Sequence, residues 1–163
     1  MSRQSVLLLV WMVLACAVAA LPARATPLDD SASPRQRIEV KPRWQYQGED
    51  ALSPERIGRM VVDVPNLEIR LDTVAWRGRT ARIYLSLPPL VPGVNAPEGL
   101  RAEWRARGAM QAGSITPGGR VLVFDGLVER AQTVEFFDFT IYLDTRFTQR
   151  GIRFEPKFEI EAR

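Results

Sequence analysis

The chain has 163 residues, of which 46% are hydrophobic and 25% are charged; this is the composition of a globular domain and excludes a disordered chain. It contains no histidine, and Cys16 is its single cysteine, which excludes Ser-His-Asp and Cys-His catalytic groups and histidine-containing zinc sites. The formal net charge is +3, but Arg3 and Arg24 lie in a predicted export signal, and the rest carries 20 basic and 19 acidic residues. That balance argues against a nucleic-acid-binding protein, which usually has a basic excess.

The N-terminus has the three parts of a signal peptide. Arg3 lies in a short basic lead, residues 6–15 form an uninterrupted apolar run, and Ala23, Arg24 and Ala25 form an A-x-A cleavage motif. We therefore predict a signal peptide over residues 1–25, cleavage after Ala25, and a periplasmic or secreted protein.

Two alternatives remain for this segment. Residues 13–16 match a lipobox, which would make the protein a membrane-anchored lipoprotein acylated at Cys16. An uncleaved anchor is the other alternative, but Pro22 and Arg24 end the apolar run before the length of about 18 residues that a spanning helix needs. The two possible processing sites, after Ala25 and before Cys16, stay open.

Residues 26–37 are rich in Pro, Ser, Asp and Arg and predict a flexible leader. A single domain is predicted over residues 38–163. Apolar residues alternate over 38–46, which predicts a half-buried strand, and Pro42 places that strand at a sheet edge. Ser53, Pro54 and Glu55 then predict the start of a short helix.

The rest of the chain has the period of two that is typical of strands. Strands are predicted at residues 61–64, 67–71, 81–87, 100–106, 121–124, 134–144 and 152–160. Pro65 and Asn66 are expected to separate the first two, and the proline-rich residues 88–97 predict a long loop. The strand over 134–144 is the most apolar and should be central, whereas 152–160 is a second candidate edge strand.

These elements predict an all-β fold, namely an antiparallel two-sheet sandwich that is immunoglobulin-like in shape. The chain lacks the Cys-Trp-Cys framework of a true immunoglobulin domain, so the likeness is one of shape. A small β-barrel is the alternative, because strand patterns alone do not distinguish a closed sheet from two stacked sheets.

One turn carries the candidate ligand-binding residues. Trp44 and Trp104 fall on the apolar sides of their strands and are predicted to be in the core, whereas Trp76 ends a strand beside a basic turn. The hypothetical site for a carbohydrate or an anion consists of Trp76, Arg77, Arg79 and Arg82. The interpretation we favour for the arginines is a solvated sheet face whose cations pair with acids, and the same holds for Arg101, Arg105 and Arg107.

Asp138 is the candidate for carboxylate chemistry, because it interrupts an apolar strand and burial there would raise its pKa. Its parity places it on the polar side of that strand, which favours a structural role. No metal or phosphate-loop motif is found in the sequence, so we expect no cofactor and no metal.

The sequence thus favours an exported, non-enzymatic envelope protein with a binding, accessory or structural role. Its partner is expected to be another envelope protein, bound by strand addition at an exposed edge or through a patch on a loop, or a glycan. Nucleic acid is not expected, and membrane contact would come only through a lipid anchor or an uncleaved signal. The alternatives are a carbohydrate- or anion-binding module and a small carboxylate-dependent hydrolase.

Overall fold

The structure is a computed structural model that describes residues 25–34, 41–149 and 151–163. The predicted signal peptide up to Arg24, the lipobox and the first residues of the predicted strand over 38–46 lie outside this part of the chain. The described residues form an all-β fold of two antiparallel sheets.

Nine strands occur in the described residues. They are β1 Thr26–Pro27, β2 Arg43–Trp44, β3 Arg59–Asp72, β4 Thr80–Ser86, β5 Leu100–Ala106, β6 Gly113–Ile115, β7 Arg120–Leu127, β8 Gln132–Asp144 and β9 Lys157–Ala162. Sheet one has the order β1-β9-β4-β7, and sheet two has the order β2-β3-β8-β5-β6. The sheets are separate, so the alternative prediction of one closed barrel is wrong.

The core lies between the two sheets. Alternate residues of β8, among them Phe137 and Phe139, are buried against alternate residues of β4 and β9. The ring centroid of Phe137 in sheet two is 5.8 Å from that of Phe158 in sheet one. The period of two thus places one face of each sheet in a shared core, where burial of apolar area stabilises the fold by about 25 cal/mol per Å².

The strand β8 is central, as predicted. It has 13 residues and pairs with β3 on one side and with β5 on the other. The strand over residues 100–106 and the loop over 88–97 are also confirmed, and this loop carries the chain from sheet one to sheet two.

The strand β3 differs from its prediction. It runs continuously for 14 residues where Pro65 and Asn66 were expected to separate two strands. A bulge between Val64 and Leu67 absorbs the interruption, and Asn66 adopts a φ of 57° there. The backbone N–H of Asn66 donates to Oδ1 of Asp138 at 2.8 Å, so the bulge is tied to β8 and the strand continues beyond it.

The predicted leader and the second predicted edge strand need correction, whereas β2, within the predicted strand over 38–46, lies at the edge of sheet two as expected. Thr26 and Pro27 belong to the predicted leader, yet they form β1, in which Thr26 pairs with Ile160 of β9. The strand β9 therefore lies between β1 and β4, so the prediction of an edge strand over 152–160 is wrong, and the strand begins only at Lys157. These contacts use backbone groups, which leave no pattern in the side chains.

The predicted short helix is also displaced. A 3-10 helix covers Gly48–Leu52, and Ser53 ends this helix rather than beginning one. The carbonyl of Ser53 accepts hydrogen bonds from the N–H groups of Arg56 and Ile57, which makes a single turn before β3.

Candidate functional site

The tryptophans differ in their surroundings. Trp104 is buried, and its indole N–H donates to the carbonyl of Gln111 at 2.9 Å, as the sequence predicted for a core residue. The same prediction for Trp44 is wrong, because its side chain is 54% exposed. Trp44 pairs with Met60 on the two-residue strand β2, at the edge of sheet two.

The predicted ligand-binding residues are divided between two surfaces. Trp76 is half-buried in a 3-10 helix, Val74–Trp76, and packs against the core, while Arg77 and Arg79 are exposed on the turn that follows. Arg82 projects from the outer face of sheet one, where its Nε lies 3.3 Å from Oδ2 of Asp125. The structure thus keeps Trp76, Arg77 and Arg79 on one turn but pairs Arg82 with an acid elsewhere.

Asp138 lies on the outer face of sheet two within a hydrogen-bond network. The guanidinium of Arg107 donates to both of its oxygens, with Nη2–Oδ1 at 2.7 Å and Nε–Oδ2 at 3.0 Å. The hydrogen bond from the backbone of Asn66, together with Arg107, holds the pKa of Asp138 below its ordinary value. A raised pKa, which the hydrolase hypothesis needs, is therefore not what these neighbours produce.

The neighbouring arginine Arg101 is also paired. It contacts Glu103 and lies over the ring of Tyr142, with 5.4 Å between its guanidinium carbon and the ring centroid. Together with the Arg107–Asp138 pair, this gives two of the three arginines an acidic partner, as favoured for a solvated sheet face, while Arg105 has no ion pair within the described residues.

Within the described ranges, no three metal-ligating side chains of the His, Cys, Asp or Glu type come together. None of the helices found there is both long enough and apolar enough to cross a bilayer.

An apolar groove of about 720 Å³ opens on the inner face of sheet two. Its floor consists of Met60, Val62, Val64 and Leu67 from β3 and of Ile141 and Leu143 from β8. The segment between β8 and β9 forms the facing wall with Thr145, Ile152 and Phe154. Such a concave, mostly apolar surface is typical of a binding site.

Of the described residues of sheet one, few reach β3 on this side. The edge strand β1 has two residues, and the described residues after it, up to residue 34, contact β3 near its C-terminal end. There, the N–H of Asp72 donates to Asp29 and the N–H of Arg70 donates to Ser33. The N-terminal half of β3 therefore lacks a cover from β1.

The outer edge of β3 borders this groove. The strand β2 pairs only with Met60 and Val61. Between Val62 and Ile69, no strand in the described parts of the chain pairs with β3 on the side away from β8. Within the described residues, the backbone groups of this stretch thus have no strand partner on that side, and they lie beside an apolar floor.

The facing wall is tied to the rest of the domain by backbone hydrogen bonds. The N–H of Gln149 donates to the carbonyl of Gly93 at 2.8 Å, and the N–H of Asn95 donates to the carbonyl of Phe147 at 2.7 Å. These contacts join the wall to the proline-rich loop, so the groove is formed before any partner binds.

The sequence did not identify this groove. The alternation of Met60, Val62 and Val64 predicts a buried face, but it does not show where the opposite sheet ends. The stretch of β3 that no described strand pairs was also not predicted, because strand order depends on backbone pairing between distant residues. Comparison of the chain with family models, with curated proteins and with solved structures finds no match.

Proposed function

We propose that this protein is an exported, non-enzymatic envelope protein whose sandwich, immunoglobulin-like in shape, binds an extended segment of another envelope protein. The segment adds to the outer edge of β3, between Val62 and Ile69, and its apolar side chains enter the groove. The observation that carries this proposal is a stretch of β3 that no described strand pairs on its outer side, directly beside the apolar floor.

Strand geometry supports this arrangement. A strand added to β3 would lie about 4.8 Å from it, and every second side chain would point to the inner face of sheet two. There these side chains would contact Val62, Val64 and Leu67. The backbone hydrogen bonds would supply affinity, and the alternate side chains would supply specificity. The expected partner segment therefore alternates apolar and polar residues.

Charge contributes little to this recognition. On the polar face beside the edge, Arg43 and Asp63 form an ion pair at 2.9 Å, and Arg70 and Glu68 form another at 2.6 Å. Because these charges are already paired, the partner segment needs no net charge. The bulge containing Pro65 kinks the edge, which disfavours pairing with an arbitrary strand.

Export rests on the sequence of residues 1–25. The basic lead, the apolar run and the A-x-A motif support cleavage after Ala25 and a periplasmic or secreted location. The intact mass of the protein recovered from the producing cell tests this: a chain that begins at Thr26 supports cleavage after Ala25. A lipid-modified chain that begins at Cys16 would instead support the lipoprotein alternative.

Binding of defined peptides tests the proposed function. The probe is a panel of peptides of about ten residues in which Val, Leu, Ile or Phe alternates with Thr or Lys. Peptides of the same composition with the apolar residues at helical spacing are the controls. We expect saturable binding of period-two peptides by isothermal titration calorimetry and weaker or no binding of the controls. Equal binding of both sets, or no binding of either, would contradict the proposal.

Two matched variants locate the binding site. Leu67→Arg places a charge in the groove, whereas Phe136→Arg places the same charge on the outer face of the same sheet, where Phe136 is 36% exposed. We expect Leu67→Arg to weaken peptide binding by about tenfold or more, since a buried charge is costly, and Phe136→Arg to bind as the wild type does. Equal affinities in the two variants would place the site elsewhere.

A glycan or an anion at the basic turn is a second candidate function. It is favoured by the exposure of Arg77 and Arg79 beside the half-buried Trp76. A glycan array tests it: binding that is lost in the Arg77→Ala/Arg79→Ala variant would support this function, and a blank array would oppose it.

A further inference from the structure

A second cavity lies at the opposite end of β8. It has a volume of about 550 Å³ and is bounded by Gly108, Ala109 and Met110, by the end of β7 and by the start of β8. Its apolar walls include Ile83, Met110, Phe124, Val128 and Val134. It is separate from the groove beside β3, which contacts the other end of β8.

Glu135 lies in the wall of this cavity with only 3% of its surface exposed. It pairs with Ile69 of β3 and shares the inward face of β8 with Phe137, so a carboxyl group occupies a stripe that is otherwise apolar. Oε1 accepts a hydrogen bond from the N–H of Ala109 at 2.7 Å. Oε2 is equally buried and has no hydrogen-bond partner among the described residues.

A buried carboxylate oxygen without a donor is destabilising, and native proteins rarely keep one. The local backbone is nevertheless built around this group. A Cβ atom on Gly108 would collide with both oxygens of Glu135, so a larger residue at this position would force the carboxyl group to shift. Gly108 and the carboxyl group of Glu135 therefore pack directly against each other, and Oε2 has no donor among the described residues.

We propose that this cavity binds an ammonium group carried on an apolar chain, and that Oε2 of Glu135 accepts a hydrogen bond from it. The charge of the ammonium group matches the carboxylate, and the apolar chain matches the walls. A free alkylamine and the lysine side chain of a partner protein share this chemistry. Glu129 and Arg130 also line the cavity, but both are exposed and carry opposite charges, so the buried carboxylate of Glu135 is the charge that selects the ammonium group.

Oε2 of Glu135 is buried, so an ammonium group reaches it only if the segment over residues 108–110 moves. This segment is fixed on one side by the hydrogen bond from the N–H of Arg107 to Phe136, at 3.0 Å, and on the other by that from the N–H of Gln111 to Val123, at 2.7 Å. Between these points it is held by the hydrogen bond from Ala109 to Glu135 and by the buried side chain of Met110. The proposed ammonium group joins Ala109 as a second donor to the carboxylate and leaves both flanking hydrogen bonds in place.

Titration of the protein with n-butylammonium, followed by two-dimensional NMR, tests the proposal. We expect saturable one-to-one binding, with the largest shifts at Gly108, Ala109 and Glu135, and markedly weaker binding of n-butanol, which has the same apolar chain without the charge. Equal affinity for n-butanol and n-butylammonium, or the lack of saturable binding, would overturn the proposal even if no variant could be made.

Variants and a second probe extend the test. Glu135→Gln keeps the shape but removes the charge, and we expect it to weaken n-butylammonium binding by about tenfold or more. Glu129→Gln, at the rim, should bind n-butylammonium nearly as the wild type does. A larger loss of affinity in Glu129→Gln than in Glu135→Gln would overturn the role of Glu135. Blocked lysine that binds at least as tightly as n-butylammonium would identify a protein side chain as the ligand, whereas weaker binding would identify a free amine.

Discussion

The buried carboxylate of Asp144, at the end of β8, holds the guanidinium of Arg146 through two hydrogen bonds, Nη2–Oδ2 at 2.7 Å and Nε–Oδ1 at 2.9 Å. The same carboxylate lies 3.3 Å from Nη1 of Arg59 at the start of β3. Nη1 of Arg146 also donates to the carbonyl of Pro54 at 3.2 Å. Asp144 thus joins both strands of the groove floor to the loop that begins the facing wall.

Replacing Asp144 should destabilise the protein substantially. Asp144→Asn removes the charge that two arginines share, and we expect the free energy of unfolding to fall by about 2 kcal/mol, since hydrogen bonds to charged groups are worth about 1.5–3 kcal/mol. Urea unfolding measures this change. Asp50→Asn is the matched control, because Asp50 is 80% exposed in its ion pair with Arg56 and should matter by less than about 0.5 kcal/mol. Equal effects would show that Asp144 does not anchor this region.

The stability of the domain should decrease in acid. Hydrogen bonds from Arg146 hold the pKa of Asp144 below its ordinary value, and those from Asn66 and Arg107 do the same for the pKa of Asp138. Because both pKa values are lower in the folded than in the unfolded chain, their stabilisation is fully present above about pH 4 and is lost as the pH falls through the folded values. Urea unfolding at a series of pH values should show a smaller loss of stability in acid for Asp144→Asn than for the wild type. The same loss in both proteins would contradict the lowered pKa of Asp144.

Gly108 and Glu135 should be energetically coupled. Gly108→Ala places a methyl group against the carboxyl group, and we expect a loss of about 1–3 kcal/mol, as in other overpacked sites. Adding Glu135→Ala removes the collision, so the double variant should lose less stability than the sum of the two single variants. Additive losses in thermal unfolding would show that Gly108 is not required by the carboxyl group.

The two strand tryptophans should respond differently to truncation. Trp104→Ala opens the core and should reduce the free energy of unfolding by about 3–5 kcal/mol. Trp44→Ala changes an exposed side chain and should have an effect within about 0.5 kcal/mol. Chemical unfolding of both variants checks this, and a large loss for Trp44→Ala would mean that Trp44 is buried.

The sequence predicted those features that depend on local alternation. The stripe of Phe137, Phe139 and Ile141 correctly indicated the central strand, and the all-β class followed from similar stripes along the chain. The bulge at Pro65 and Asn66 could not be predicted, because the N–H of Asn66 donates to Asp138, far away in the sequence.

The site depended on information that side-chain patterns do not contain. Trp44 has the parity of a core residue, yet it lies on the two-residue edge strand β2 and is exposed. Pairing of Thr26 with Ile160 uses backbone groups in a segment without apolar alternation. The groove beside β3 depends on the strand order, which the side-chain pattern does not contain.

Amide hydrogen exchange of β3, with and without a period-two peptide that binds, is the most direct test of strand addition. When the peptide is bound, we expect slower exchange of those amides between Val62 and Ile69 that do not pair with β8. A peptide with the same side chains, but with alternate backbone nitrogens methylated along the edge that would face β3, should lose both the binding and the protection. Unchanged exchange along this edge, or equal binding of the methylated peptide, would contradict strand addition at β3.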